Sequence, residues 1–121
     1  MKWFKHFSNL RNSPIMVSIK NRVGMEAFAQ AVILLEVFAE HCGEVSNFRA
    51  AIPYKAPTDI EFWAYEFGQL GQDEDFHETK ELLAQFEKSG LIKFNDDDEM
   101  ECPILEASMD EYTARRAAMS R

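Results

Sequence analysis

The stretch Lys88–Leu105, KSGLIKFNDDDEMECPIL, constrains this chain more than any other. Ser89-Gly90 ends a helix, because glycine accepts the left-handed backbone that closes a helical run. Leu91–Phe94 and Met100–Leu105 then read as two strands around a turn of Asn95, Asp96, Asp97, Asp98 and Glu99. Asn and Asp tolerate unusual backbone angles and hydrogen-bond their own amides, so this is good turn chemistry. A calcium loop is a sharper reading of the same acids, but its alternating ligand spacing and central glycine are missing. A solvated hairpin explains the residue types without a metal.

Upstream of the hairpin the pattern is mostly helical. Asn12 and Ser13 before Pro14 make a helix start, and Ile15, Ile19 and Val23 recur until Gly24 stops it. A long helix is expected over Met25–His41, with Phe28, Ala31, Val32, Leu35 and Phe38 or Ala39 inward and Gly43 just past its end. Glu36 and Glu40 stand one turn apart beside that stripe, where solvent exposure suits them. Phe48–Ile52, stopped by Pro53, reads as a short edge strand. Thr58 and Glu61 form a capping box for the next helix, which buries Ile60, Trp63, Ala64 and Phe67 and ends at Gly68. A further helix over Asp75–Lys88 turns Phe76, Thr79, Leu82, Leu83 and Phe86 inward.

This order, with an antiparallel three-stranded sheet, specifies a mainly α, α+β fold. Its expected form is a winged helix-turn-helix with a small antiparallel sheet and extra N- and C-terminal helices. One domain over 1–121 is expected, with an N-terminal arm (1–12) and a C-terminal helical tail (108–121). Ten Phe and 46% hydrophobic residues suffice for a packed core. MKWFKHFSNLRNSP holds charges and no signal-like apolar run, and no stretch reaches the roughly 18 apolar residues of a membrane span. A cytoplasmic protein without membrane contact is expected.

Net charge is −8, unevenly divided. Residues 1–55 hold seven Lys/Arg against four acids, +3, while residues 56–121 hold six against seventeen, −11. Phosphate neutralisation dominates nucleic-acid affinity, so a DNA contact is expected only in the first half. Cys42 and Cys102 lack metal or redox spacing, and His6, His41 and His77 form no HxxxH or HExxH pair. No nucleophile, acid–base set or phosphate loop is recognisable. A non-enzyme with no cofactor and no metal is expected.

The block KWFKHFSNLRNSPIMVSIKNRVGMEAFAQAVILLEVFAEHCG, with ELLAQFEKSGLIKF further on, resembles the N-terminal winged-helix domain of phage and prophage replisome-organiser proteins, akin to DnaD-like primosomal proteins. The shared features are an aromatic start with Ser8-Asn9, a charged helix ending at Gly24, Leu34–Glu40, and the Gly-Leu-Ile step into a strand. The resemblance spans roughly residues 2–105. It implies a DNA-binding or replisome-assembly module in DNA replication or transcriptional control, and self-association as a homo-oligomer. Such proteins usually continue into a basic linker and a second domain, for which nothing is visible before Arg121.

Candidate DNA contacts are Lys2, Lys5, Arg11, Lys20 and Arg22, with His6, interleaved with Trp3, Phe4 and Phe7. Lysines beside aromatics can take phosphates and stacked bases; the competing reading packs the aromatics into the domain and leaves the lysines as solubilising charge. On the presumed recognition helix, His77, Lys80 and Lys88 are further candidates, with Gln85 beside them. Asp75, Glu78, Glu81 and Glu87 oppose them, so an ordinary solvated face is the heavier reading there. The alternative function is a protein–protein adaptor of the same fold, whose acidic half meets a basic partner.

Overall fold

The computed structural model describes residues 12–42, 50–55, 58–71 and 75–107. The expected arm and tail therefore lie outside the described residues, apart from Asn12, and so do Gly43 and Phe48.

Helix α1 is Pro14–Arg22. Ser13 caps it, its Oγ accepting from the Met16 amide at 3.4 Å, and Pro14 occupies the first turn, where a missing N–H costs nothing. The Val23 and Gly24 amides both donate to Ile19 O, and Gly24 has φ +127°. Helix α2, Met25–Cys42, packs across α1. Its buried stripe is Ala27, Ala31, Leu34, Leu35 and Phe38, while Phe28 and Val32 sit half-buried at its margin. In α1 the inward pair is Met16 and Ile19; Val23, expected inside, is 39% exposed. Both stripes thus differ slightly from the expected ones, with Ala27 and Leu34 buried where Phe28 and Val32 were expected, and Met16 in place of Val23.

Strand β1 is Ala51–Pro53, and helix α3 is Thr58–Glu66. The helix already includes Thr58, so the expected cap position lies within it; at this end the Asp59 carboxylate accepts from the Lys55 amide, and Asp59 N donates to Lys55 O. At the other end Gly68 N donates to Tyr65 O and Gln69 N to Ala64 O, with Gly68 at φ +71°. That paired closure is the Schellman arrangement, and it turns the chain toward α4.

Helix α4 is His77–Lys88, two residues shorter than expected. Phe76 takes a left-handed conformation (φ 53°) and packs half-buried against the core, which breaks the helical run ahead of His77 and leaves Asp75 in a turn. A bulky residue adopts this conformation at a cost of about 1–2 kcal/mol, offset here by burial of the ring. The expected inward set of α4 is otherwise observed: Thr79, Leu82, Leu83 and Phe86 are buried. Thr79 Oγ1 donates to Gln69 Oε1 at 2.7 Å and ties α4 to the end of α3.

Gly90 (φ +85°) closes α4, and Leu91 N donates back to Phe86 O. That bond holds Leu91 at the helix end, so β2 is only Lys93–Phe94 rather than Leu91–Phe94. Strand β3 is Glu99–Glu101. The expected continuation to Leu105 does not occur: Cys102 N donates to Ala50 O, and residues 103–107 are helical, with Pro103 suited to the first turn. The sheet is antiparallel in the order β1-β3-β2. Buried Met100 stands opposite Ile52 on one side and Phe94 on the other. Pro53 is tolerated because β1 is an edge.

One core joins these pieces. Trp63 is fully buried, with Phe62, Phe67 and Phe38 at ring-centroid distances of 5.3, 5.5 and 6.1 Å, and Phe67 reaches Phe86 at 6.2 Å. The result is a mostly helical α+β fold carrying a small three-stranded sheet. No helix among the described residues is long and apolar enough to cross a membrane.

Candidate functional site

The α4 surface and the hairpin form two walls of a groove of about 420 Å³. Lys80, Leu83, Ala84 and Glu87, spaced three, one and three apart, are the α4 residues on that side. Phe94, Asn95, Asp98 and Glu99 supply the hairpin wall, and Tyr54 and Lys55 close the end beyond β1. Apolar surface comes from Leu83, Ala84 and the Tyr54–Phe94 ring pair, whose centroids lie 5.0 Å apart at 46°.

The hairpin wall is held by one polar side chain. Asn95 Oδ1 accepts from the amides of Asp97 (2.9 Å) and Glu99 (3.1 Å). Its Nδ2 donates to Glu99 Oε1 and Glu101 Oε1, at 3.0 and 3.2 Å. The Asn95 amide closes the loop onto Glu99 O, and Asp98 takes φ 56°, the left-handed third position of a three-residue hairpin loop. The Tyr54 amide donates to Asp98 O at 2.7 Å and anchors the turn to β1. Asp96 and Asp97 point their charge into solvent and close no part of this framework through their carboxylates.

Tyr54 is half-buried, and burial, with a smaller contribution from the negative charge of Asp59, raises its phenol above the ordinary 10.0. It therefore stays neutral at pH 7 and offers the groove a hydroxyl donor.

The residues expected to touch DNA fall into separate places. Lys20 and Arg22 are exposed in the last turn of α1, and the Lys20 ammonium lies 5.8 Å from the Phe28 ring centroid. Lys2, Lys5, His6 and Arg11 lie outside the described residues. His77, Lys80 and Lys88 are exposed along α4, and His77 Nε2 approaches Glu81 Oε2 at 3.9 Å. Exposed Glu78, Glu81 and Glu87 share that helix, so its outer surface is mixed rather than basic. Glu36 and Glu40 are exposed. Cys102 is buried in the core cluster. Among the described residues no three His, Cys, Asp or Glu are placed to hold a metal ion.

Sequence reasoning missed the groove. Its aromatic pair comes from Tyr54 and Phe94, forty positions apart, and only the β1-β3-β2 order brings them together. The one local signal was Phe94 immediately before Asn95, an aromatic side chain placed where the hairpin begins. Comparison with known proteins finds no family model, no curated protein and no solved structure that matches this chain.

Proposed function

We propose that this chain is a non-catalytic winged-helix module of phage or prophage type, acting in DNA binding or replisome assembly for DNA replication or transcriptional control. The observation that carries the reading is the element order. The described elements run as two helices, a short strand, two further helices and a hairpin whose second strand lies between the other two strands, an order that supports a winged-helix reading. The likeness of the N-terminal block and of ELLAQFEKSGLIKF to replisome organisers supports the same reading.

In this reading DNA meets the basic first half, at Lys20 and Arg22 together with Lys2, Lys5 and Arg11. The hairpin, with Asp96, Asp97 and Asp98 at its tip, faces away from the duplex. Three adjacent carboxylates in a groove of DNA would add charge repulsion where a wing needs attraction.

Fluorescence anisotropy with single- and double-stranded DNA at about 50 and 200 mM salt tests it. Salt-sensitive binding that K20E/R22E weakens is the expected result. Absence of binding at the lower salt would leave the second reading, a protein adaptor of the same fold, favoured by the acidic hairpin and the mixed charge of α4.

A further inference from the structure

The groove between α4 and the hairpin has a use that DNA binding does not supply. Its walls join exposed apolar surface to strong negative charge. Phe94 is 38% exposed, and Ala84, the smallest side chain on the α4 wall, leaves the groove open midway between Lys80 and Glu87. Glu87, Asp98 and Glu99 line it, Asp96 and Asp97 stand exposed next to Asp98 at the hairpin tip, and the Asp59 carboxylate accepts from the amide of the lining residue Lys55. Three lining carboxylates thus stand with two ammonium groups, Lys55 and Lys80, and the exposed tip adds Asp96 and Asp97 beside them. Because Asn95 holds the turn, the charges at the tip are free to face a partner without unmaking the loop.

We propose that this groove docks a basic peptide segment of a partner protein. The segment sets one bulky apolar side chain against Tyr54, Leu83 and Phe94, and its flanking lysines or arginines against Glu87, Asp98 and the hairpin tip. Charge complementarity selects this occupant: a nucleic-acid strand could stack a base on the aromatic pair, but its phosphates would face the same carboxylates. The apolar pocket supplies affinity and the acidic rim supplies selection for positive charge. The inference goes beyond the DNA-binding reading and uses other residues, so either can fail alone.

The test is an NMR titration of the full isotope-labelled chain with a short peptide carrying one phenylalanine between pairs of lysines. The amides of Ala84, Phe94, Asn95 and Glu99 should shift. D98N, which keeps a residue at ease with left-handed backbone, should weaken binding roughly two- to five-fold, the worth of one exposed ion pair. A84R should abolish the shifts while leaving the spectrum dispersed, since Ala84 is exposed on a helix that accepts arginine. No shift at these amides, or equal shifts from a peptide with glutamates in place of the lysines, overturns the proposal. So does a short oligothymidylate that moves these amides when the lysine peptide does not. A solution mass above the monomer that A84R returns to monomer also overturns it, by giving the groove to a second copy of this chain.

Discussion

Two parts of this molecule are held in opposite ways. Around Trp63 the chain relies on packing: Phe38, Phe62, Phe67 and, beyond them, Phe86 surround a ring with no exposed surface. Its indole N–H meets no hydrogen-bond acceptor among the described residues. The hairpin tip, by contrast, is almost wholly exposed and relies on a few directed bonds from Asn95. Side chains in the first region are fixed by their shape. In the second, one residue carries the structure, and its acidic neighbours are free to be chosen for their charge.

The comparison is broken most directly at Trp63. Trp63→Ala should cost about 3–5 kcal/mol, the usual price of emptying a buried aromatic site. Trp63→Phe should cost clearly less, because the ring contacts survive and no hydrogen bond to a described residue is lost. Chemical unfolding measures both. A loss under about 1 kcal/mol for the alanine variant would mean that the aromatic cluster does not organise the core.

Asn95→Ala comes next. It leaves the amides of Asp97 and Glu99 without their side-chain acceptor in a partly exposed turn, and about 1–2 kcal/mol should be lost. Replacing Asp96 and Asp97 together by Ser should change stability by less than about 0.5 kcal/mol. Equal losses from the two variants would show that the acids hold the turn after all, and would remove the separation between framework and charge. Gly90→Ala falls between these, at about 1 kcal/mol. A methyl group there meets only Ile15 Cδ1, at an ordinary 3.8 Å, so its cost is the left-handed backbone (φ +85°) rather than a clash.

What the sequence made legible follows the same division. The start of α1, the stops at Gly68 and Gly90, and the inward set Thr79, Leu82, Leu83 and Phe86 could be read because each depends on local backbone chemistry or on helical period. The hairpin and its antiparallel sheet could be read from Asn95 and the acids after it. Phe76 could not: EDF before His77 has the look of an acidic first turn, and only the packing of the ring explains its left-handed backbone. Ile104 and Leu105 looked like strand because they are apolar, yet the ladder has its last bond at Cys102 N to Ala50 O, and a helical turn begins at Pro103. The groove was beyond local reasoning altogether, since Tyr54, Leu83 and Phe94 meet only through the tertiary fold.

Tyr54 joins the two regions, and it gives the smallest effect. Its amide holds the hairpin through Asp98 O, while its ring packs on Phe94 and against the core. Burial, and then the charge of Asp59, raises its phenol above 10.0 in the folded chain. Below that value folded and unfolded chains both keep the proton, so Tyr54 adds no pH dependence. As pH rises past it, the unfolded chain ionises first, and stability falls until the folded phenol also ionises. Urea unfolding of the native chain and Tyr54→Phe, compared from neutral to strongly alkaline pH, isolates this contribution from that of the lysines. The native chain should lose stability more steeply above pH 10, and Asp59→Asn should remove only the lesser part of the difference, because burial is the larger cause. Parallel curves for the native chain and Tyr54→Phe would mean that the phenol is solvated in the folded state. The Tyr54 end of the groove would then be an open surface, and the boundary between the packed region and the bonded one would lie at Phe94.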